Sequence, residues 1–331
     1  MLTRLRIILD PFIVALLGTV LIASILPARG AAAPVFATLA DAGIVLLFFL
    51  HGAKLSREAV IAGAKNWRLH AAVLTATFVI FPLMGLGVTK LPFLPAIAAT
   101  GILFLTLLPS TVQSSIAFTA IARGNVAAAV CSASLSNLLG TVVTPLLAAL
   151  LIGSNGGKAM SLSSIESILL QLVLPFFLGQ SLRPVIGGFI GRHKSIVGLV
   201  DRGSILLVVY SAFGAAVVEG LWSRMSAGEI GIIFLVCAAV LAASLFVTWY
   251  GGRLIGLPRE DRIVLLFCGS KKSLASGVPI ASVLFAPAQV GLVILPVMIF
   301  HQIQLIACAF IARHLADQPV EAPARAAARP I

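Results

Sequence analysis

The sequence predicts an all-α polytopic membrane protein with ten transmembrane helices arranged as two inverted five-helix repeats. Of its 331 residues, 60% are hydrophobic and only 10% are charged, and the mean hydropathy of +1.12 lies well outside the balance of a soluble domain. Several apolar runs reach the roughly 20 helical residues that cross a hydrocarbon core of about 30 Å. Polar stretches also interrupt two of these runs at corresponding places in the two halves.

The spans follow from apolar runs bounded by charges, glycine and proline. The first five lie near 10–27, 34–53, 69–88, 96–122 and 126–152, and the second five near 165–184, 197–221, 229–250, 262–286 and 288–312. The first repeat thus occupies 1–152, a connecting loop 153–164 and the second repeat 165–312. The tail, 313–331, is predicted to be cytoplasmic and, from Gln318 onward, disordered because it is rich in Ala, Pro and Arg.

The N-terminus shares one feature with a signal peptide, since Arg4 and Arg6 precede an apolar run. However, Leu9-Asp10-Pro11 interrupts that run and further spans follow it. We therefore interpret this segment as the first transmembrane helix.

Charge placement predicts the orientation, because cytoplasmic loops carry an excess of Lys and Arg. With the N-terminus inside, seventeen of these residues fall in cytoplasmic segments and only Arg29, Lys90, Lys158 and Arg224 in outer ones. Both termini are therefore predicted to be cytoplasmic. Five spans per half place the second repeat upside down relative to the first. The net charge of +12 is spread between apolar segments, so no nucleic-acid partner is expected.

The sequence motifs indicate neither an enzyme nor a metal-binding site. The four cysteines, Cys131, Cys237, Cys268 and Cys308, lie inside apolar runs without metal-site spacing and are interpreted as packing residues. The chain carries no zinc-protease helix motif, no phosphate-binding glycine-rich loop and no Ser, His and acid set with supporting context. We expect a protein that is not an enzyme.

The first interruption lies in the fourth span. Pro109 removes a backbone hydrogen bond from its helix, and the hydroxyl and amide groups that follow compete for backbone partners, so the helix is expected to open. The polar residues at this break are Ser110, Thr111, Gln113, Ser114 and Ser115. In lipid such breaks are tolerated only where protein or a watery cavity surrounds them. The alternative is a plain proline kink, which a second break at the equivalent place makes less favourable.

That second break, Cys268-Gly269-Ser270-Lys271-Lys272-Ser273, places two lysines inside the ninth span. Lys271 lies nine residues beyond Arg262, about 14 Å along a helix, which puts it near the bilayer midplane. A charged lysine there costs roughly 2.5 to 3.5 kcal/mol on insertion scales. The pair therefore indicates a cavity, a partner or loss of the charge. The alternative is a structural lysine bonded to carbonyl groups at the break.

Polar residues elsewhere could contribute to the same site. Asp41 lies in the second span, where acidic residues are rare, although its place near the outer end also allows a solvated position. The full predicted substrate- or ion-binding set is Ser110, Thr111, Gln113, Ser114, Ser115, Ser134, Asn137, Ser270, Lys271, Lys272, Ser273 and Asp41. Further candidate partners are Ser136, Thr141, His301, Gln302 and Gln304.

Several segments resemble the bile acid:sodium symporter family over nearly the whole chain. They are the broken fourth span followed by Ala122-Arg123-Gly124-Asn125-Val126-Ala127, with its predicted tight turn, and a fifth span that ends Val143-Thr144-Pro145. Phe48-Phe49-Leu50-His51-Gly52-Ala53-Lys54-Leu55-Ser56 and the second break are similar to a bacterial branch related to solute carrier family 10 member 7.

The resemblance implies that the fourth and ninth helices cross near the midplane, and that a core of six helices moves against a panel of four. It also implies an organic anion as solute and sodium as the coupled ion, with Gln113, Ser114 and Ser115 as oxygen ligands for sodium. No organic cofactor is expected. The ninth span departs from the pattern, because Phe267 takes the place of a bridging acidic residue and Lys271 that of a ligating glutamine. We hypothesise that Lys271 or Lys272 replaces sodium and links transport to its own protonation; alternatively, the pair holds an anionic solute.

The sequence and the resemblance therefore predict a secondary active transporter that moves a small organic anion across a bacterial inner membrane by alternating access, with sodium or a proton as the coupled ion. Its expected partners are this solute and the lipid bilayer, and the oligomeric state stays open. The alternative is a regulatory or scaffold membrane protein that does not transport. A channel is disfavoured, because two broken helices in one chain suit a gated site better.

Overall fold

The computed structural model describes residues 11–54, 66–152, 166, 169–220 and 226–318. Helices account for the regular structure of these residues, and no strand occurs among them. In chain order they are α1 (Pro11–Ile25), α2 (Ala32–Lys54), α3 (Trp67–Val88), α4 (Ala96–Leu107), α5 (Gln113–Ile121), α6 (Val126–Leu151), α7 (Leu169–Arg192), α8 (Lys194–Val218), α9 (Ala227–Leu254), α10 (Arg259–Gly269), α11 (Leu274–Leu284) and α12 (Pro287–Asp317).

The helices confirm an all-α, multi-pass membrane protein. Eight stretches of the described chain are long and apolar enough to cross a membrane, with α10 and α11 together forming one of them. Two shorter apolar helices, Val14–Ile25 and Ala96–Leu107, lie at predicted spans one and four. The arrangement as ten spans in inverted repeats stays a prediction. The connecting loop at 153–164 and the tail beyond Gln318 lie outside the described residues.

Two helices run further than their sequence patterns suggest. The sixth span was expected to end at 184, but α7 continues through Pro184 to Arg192. A proline removes one hydrogen bond from a helix, and packing against neighbouring helices compensates for that loss. The last span was expected to end at 312, yet α12 continues to Asp317. The prolines and charges that bound these apolar runs therefore do not mark the ends of the two helices.

Helices α1, α2, α7 and α8 form a four-helix group, in which α2 packs along both α7 and α8, and α8 packs along α1. Glycines set the closest contact. A Cβ atom added at Gly52 would lie 1.9 Å from the carbonyl oxygen of Phe176, and one at Gly179 would lie 2.0 Å from that of Phe49. Small residues allow helix backbones in membranes to approach in this way. The four-helix group meets the remaining helices mainly where α8 packs against α12 and α11.

The predicted turn between α5 and α6 is present and has a structural explanation. Arg123 adopts a left-handed backbone conformation, with φ 59°, and a Cβ atom at Gly124 would lie 2.6 Å from Ile263. The Asn125 side chain caps α6 by accepting a hydrogen bond from Ala128 N at 3.0 Å. The Asn125 amide also donates to the Asp261 carboxylate at 2.9 Å. The turn thus holds the start of α6 against the start of α10.

Candidate functional site

The predicted interruption at Pro109 is present. Helix α4 ends at Leu107, Leu108 is extended with φ −70° and ψ 153°, and α5 begins at Gln113. The end of α4 then needs new partners for its last carbonyl groups. The Leu107 carbonyl accepts a hydrogen bond from Thr144 Oγ1 at 2.8 Å, while Ser110 N donates to Ser136 Oγ at 3.0 Å.

The second interruption meets the first one directly. Helix α10 ends at Gly269, and α11 begins at Leu274 with Ser273 as its cap, since Ser276 N donates to the Ser273 hydroxyl at 3.2 Å. The Ser273 N–H donates to the Pro109 carbonyl at 2.8 Å. The Ser115 hydroxyl donates to the Phe267 carbonyl at 3.0 Å. Residues far apart in the chain therefore form one continuous polar region.

The ammonium group of Lys272 lies in a cage of three backbone carbonyl oxygens. It donates to Thr77 O at 2.8 Å, to Thr106 O at 2.8 Å and to Leu108 O at 2.7 Å. The side chain is buried, and the nitrogen lies 4.2 Å from the centroid of the Phe81 ring. An ammonium group has three N–H donors, so this cage satisfies all of them.

The local backbone explains why two of these oxygens, those of Thr77 and Thr106, are available. In α3 a π-helical turn spans Ala76–Ile80, so that Phe81 N donates to Ala76 O. The donor to Thr77 O in the same register would be Pro82, which has no N–H. Thr106 O lacks its donors for a similar reason, because Pro109 has no N–H and Ser110 N bonds to Ser136. A cation at the C-terminal end of α4 also complements the helix dipole.

Gln304 fixes the backbone on which Lys272 is carried. Lys272 N donates to Gln304 Oε1 at 2.9 Å, and Gln304 Nε2 donates to Lys272 O at 3.0 Å. Gln304 Nε2 also lies 2.8 Å from His301 Nδ1. Because Gln304 is fully buried, this paired contact substitutes for the helical hydrogen bonds that the break removes.

Lys271 points to a different environment. Its ammonium donates to Ser114 Oγ at 3.1 Å and lies 4.4 Å from the Phe118 ring centroid and 5.8 Å from that of Phe267. The side chain is fully buried. Within the described chain, neither lysine has a carboxylate at ion-pair distance, since the one ion pair found there joins Lys54 to Asp201. Lys271 therefore has a single hydrogen-bond acceptor where Lys272 has three.

A cavity of about 690 Å³ adjoins the two breaks. Its polar wall is formed by Thr111, Gln113, Ser114, Ser134, Asn137, Ser273 and Ser276, from α5, α6, α11 and the breaks. The opposite wall belongs to the four-helix group and carries His51, Lys54, Lys194, Asp201 and Arg202. The cavity thus lies between the two sets of helices.

Positive charge dominates this cavity. Lys54, Lys194 and Arg202 line it, against Asp201 as the one carboxylate of its described lining. Asp201 pairs with Lys54. Helix α5 begins in the cavity wall without a side-chain cap among the described residues, which leaves the N–H groups of its first turn available to an anion. The cavity therefore suits an anionic ligand.

Most of the predicted site residues come together here. Thr111, Gln113, Ser114, Ser134, Asn137 and Ser273 line the cavity, and Ser110, Ser115, Ser270, Lys271 and Lys272 are buried at the adjoining breaks. Asp41 is exposed on α2 and is not part of the cavity lining. The hydroxyls suggested as sodium ligands already have partners, because Ser114 accepts from Lys271 and donates to Thr111, and Ser115 donates to Phe267 O.

The cationic wall of the cavity and the carbonyl cage around Lys272 were not predicted from the sequence. Lys54, Lys194 and Arg202 are among the seventeen cytoplasmic charges that predict the orientation, and a position at a span end also places such side chains at a cavity mouth. Backbone oxygens such as Thr77 O leave little trace in a sequence. Pro82, which frees that oxygen, was the available signal.

Comparison with known proteins shows which family this chain resembles over nearly its whole length. The model of the SBF-like CPA transporter family matches residues 10–317. The chain is 51% identical to an uncharacterised protein of Pseudomonas aeruginosa, over 99% of each chain. It is 49% identical to YfeH of Escherichia coli strain K12, named as a candidate symporter, over 94% of each chain. It is 26% identical to sodium/bile acid cotransporter 7 of Danio rerio, over 81% of each chain.

These similarities confirm the resemblance drawn from the sequence motifs, including the relation to solute carrier family 10 member 7. The relatives with functional names are named as a symporter and as cotransporters, and not as enzymes. The expectation of a membrane transporter without enzymatic activity agrees with these names.

Proposed function

Because the chain belongs to the SBF-like CPA transporter family, we propose that it transports a small organic anion by alternating access. One observation carries the proposal: a cavity lined by three cations lies between the four-helix group and the two broken helices. A solute bound there would contact both sets of helices, so a movement of one set against the other exposes it to opposite sides in turn.

The charge of the cavity supports an anion over a cation or a neutral solute. Lys54, Lys194 and Arg202 exceed the single carboxylate of Asp201, and Asp201 already neutralises Lys54. The polar wall adds the hydroxyl and amide groups of Ser114, Ser134 and Asn137. Hydrogen bonds from such groups orient a solute, while the cations supply the attraction.

The coupling mechanism proposed here uses lysine in place of sodium. The relatives named sodium/bile acid cotransporter 7 carry sodium in their name. In this chain the Lys272 ammonium already fills a cage of three carbonyl oxygens, the type of ligand that a hard cation takes. A covalently attached cation makes sodium unnecessary at this break.

Lys271 then provides the group whose proton changes during transport. Ser114, its hydrogen-bond partner, lines the cavity, so one hydroxyl separates the ammonium from the solute. Among the described residues, the other titratable groups facing Lys271 are the thiols of Cys268 and Cys308, and in this proposal the adjacent Lys272 keeps its charge throughout. Loss of a proton from Lys271 would weaken the attraction for an anion and so link solute release to proton release.

The test is flux in liposomes. Thermal stabilisation of the purified protein by a panel of carboxylates, sulfonates and phosphate monoesters selects the solute. Uptake of that solute is then measured with an imposed proton gradient, an imposed sodium gradient and neither. We expect uptake with the proton gradient and no response to sodium. Sodium-driven uptake would overturn the lysine mechanism, while stabilisation only by neutral or cationic compounds would overturn the anion assignment.

A chain that binds anions but shows no flux under any gradient would instead favour the regulatory or scaffold alternative. The variant Arg202→Gln, which removes one cavity cation, should weaken anion binding. Arg253→Gln serves as its matched control, because Arg253 is exposed and stacks on Trp249 away from the cavity lining. Equal losses in the two variants would contradict a site between the two helix sets.

The same proposal includes ten spans in two inverted repeats, with both termini in the cytoplasm of a bacterial cell and the chain in the inner membrane. The distribution of Lys and Arg between loops supports this orientation. Reporter fusions after Gln318 and at the turn containing Arg29 should report opposite sides of the membrane. Identical sides would overturn the topology while leaving the anion cavity intact.

A further inference from the structure

A second cavity, also of about 690 Å³, lies where α2 ends, α7 completes its last turns and α8 begins. Three cations from three helices converge on it, namely Lys54, Arg183 and Lys194. No carboxylate belongs to its lining among the residues that the structure describes. Lys54 pairs with Asp201, which lies outside this lining, and Arg183 and Lys194 supply the positive charge that attracts a multiply oxygenated anion.

The wall of this cavity leaves room for a ligand. Gly188 and Gly191 of α7 line it, and a Cβ atom added at either position would meet no atom within 4 Å. The Gln180 side-chain carbonyl is buried in the same lining and receives no hydrogen bond in the described part of the chain. That oxygen can accept a hydrogen bond from a hydroxyl group of a ligand.

Exposed apolar side chains on α7 and α8 lie within a few residues of those that line the cavity. Val185 and Phe189 on α7 are 80% and 58% exposed, and Ile196 on α8 is 60% exposed. In a membrane protein such side chains face lipid tails. A cationic cavity is thus flanked by surface that suits acyl chains, a combination that a free anion in solution does not need.

We infer that this second cavity binds the phosphodiester headgroup of an anionic phospholipid, with Arg183 and Lys194 on the phosphate and the Gln180 carbonyl on a headgroup hydroxyl. Arginine suits phosphate oxygens because its planar guanidinium presents paired donors. Basic pockets between transmembrane helices are recognised sites for acidic headgroups. The lipid would also neutralise Lys194, which lines the transport cavity as well.

The experiment measures thermal stability of the full-length protein in neutral detergent, titrated with phosphatidylglycerol, phosphatidylcholine or inorganic phosphate. Ligands that bind the folded state raise the midpoint temperature. We expect a saturable rise with phosphatidylglycerol that exceeds the rise with phosphatidylcholine at least twofold, and little effect of phosphate. The variant Lys194→Gln, at an exposed position, and Arg183→Gln should each lower the apparent affinity for phosphatidylglycerol roughly tenfold, about 1.4 kcal/mol.

Arg253→Gln is the control, because it removes an exposed arginine that is not part of this lining. An equal loss of affinity in this control would overturn the site and show only nonspecific charge attraction. Equal responses to phosphatidylglycerol and phosphatidylcholine would overturn the recognition of phosphate charge. A full response to inorganic phosphate would assign the cavity to a soluble anion instead of a lipid. Each readout is independent of solute flux, so the proposed transport function can fail separately.

Discussion

The backbone N–H of Ser273 donates to the carbonyl oxygen of Pro109 at 2.8 Å, which links the two helix interruptions without any side chain. Around this bond the end of α4 is completed by Thr144 on the Leu107 carbonyl and by Lys272 on the Leu108 carbonyl. A displacement of either broken helix therefore disturbs the partners of the other one. The two breaks are expected to respond together when solute binds.

Removal of the Lys272 ammonium should destabilise the protein and create a sodium response. Lys272→Ser leaves three carbonyl oxygens without a donor, each costing about 1 to 3 kcal/mol when buried. A sodium ion fits oxygen ligands of this kind, so sodium should partly restore the midpoint temperature of the variant. Wild-type protein, measured in sodium and in potassium, should show equal stability. A sodium response in wild type, or its absence in the variant, would contradict the replacement of sodium by lysine.

Lys271→Gln should impair transport more than it impairs folding. Lys271 makes one hydrogen bond, to Ser114, so its removal leaves few groups unpaired. We expect proton-driven uptake to fall at least tenfold while the midpoint temperature changes by only a few degrees. The comparison with Lys272→Gln separates the two positions, since that variant should lose most of its stability. Equal behaviour of both variants would show that the lysines do not have separate roles.

Gly52→Ala should disrupt the four-helix group, because the added Cβ would lie 1.9 Å from the carbonyl oxygen of Phe176. Backbone atoms cannot rotate away as side chains can, so the helices must separate. Overpacking of this kind typically costs about 1 to 3 kcal/mol. Thermal unfolding in detergent measures the loss, and Gly188→Ala, where a Cβ meets nothing within 4 Å, is the matched control. A Gly52→Ala protein as stable as that control would show that α2 and α7 are less tightly packed.

Asn125→Ala should loosen the contact between α6 and α10. The change removes a helix cap on Ala128 N and a hydrogen bond to the buried carboxylate of Asp261. Loss of a cap costs about 1 kcal/mol, and a hydrogen bond to a charged group adds about 1.5 to 3 kcal/mol. Asn125→Asp should keep the cap yet place two carboxylates together. If the Asp variant matched wild-type stability, the contact with Asp261 would be unimportant.

The sequence predicted the helices well where composition alone decides the outcome. Long apolar runs such as α6 and α9 have to be helical in lipid, because every backbone group needs an internal partner. The break at Pro109 was predictable for the same reason, since proline removes a donor. The end of α7 was not, because Pro184 is compatible with a helix once neighbouring helices support it.

The part of the candidate site that consists of polar residues within apolar runs could be predicted from the sequence. Ser114, Asn137 and Lys271 stood out in this way and do lie at or beside the cavity. The different environments of Lys271 and Lys272 could not be predicted, because the sequence does not show in which direction each side chain leaves the interrupted helix. Asp41 stood out in the same way, as an acidic residue within a span, yet its side chain on α2 is exposed.

The ammonium cage consists entirely of main-chain oxygens, which belong to Thr77, Thr106 and Leu108 and accept hydrogen bonds from Lys272. Substituting the side chains of these three residues would leave every ligand atom in place. The cage is instead encoded at a distance, by Pro82 and Pro109, whose imino nitrogens withhold the protons that would otherwise occupy the oxygens of Thr77 and Thr106. The absent N–H groups of Pro82 and Pro109, together with the hydrogen bond from Ser110 to Ser136, thus leave open two of the oxygens that hold the Lys272 nitrogen.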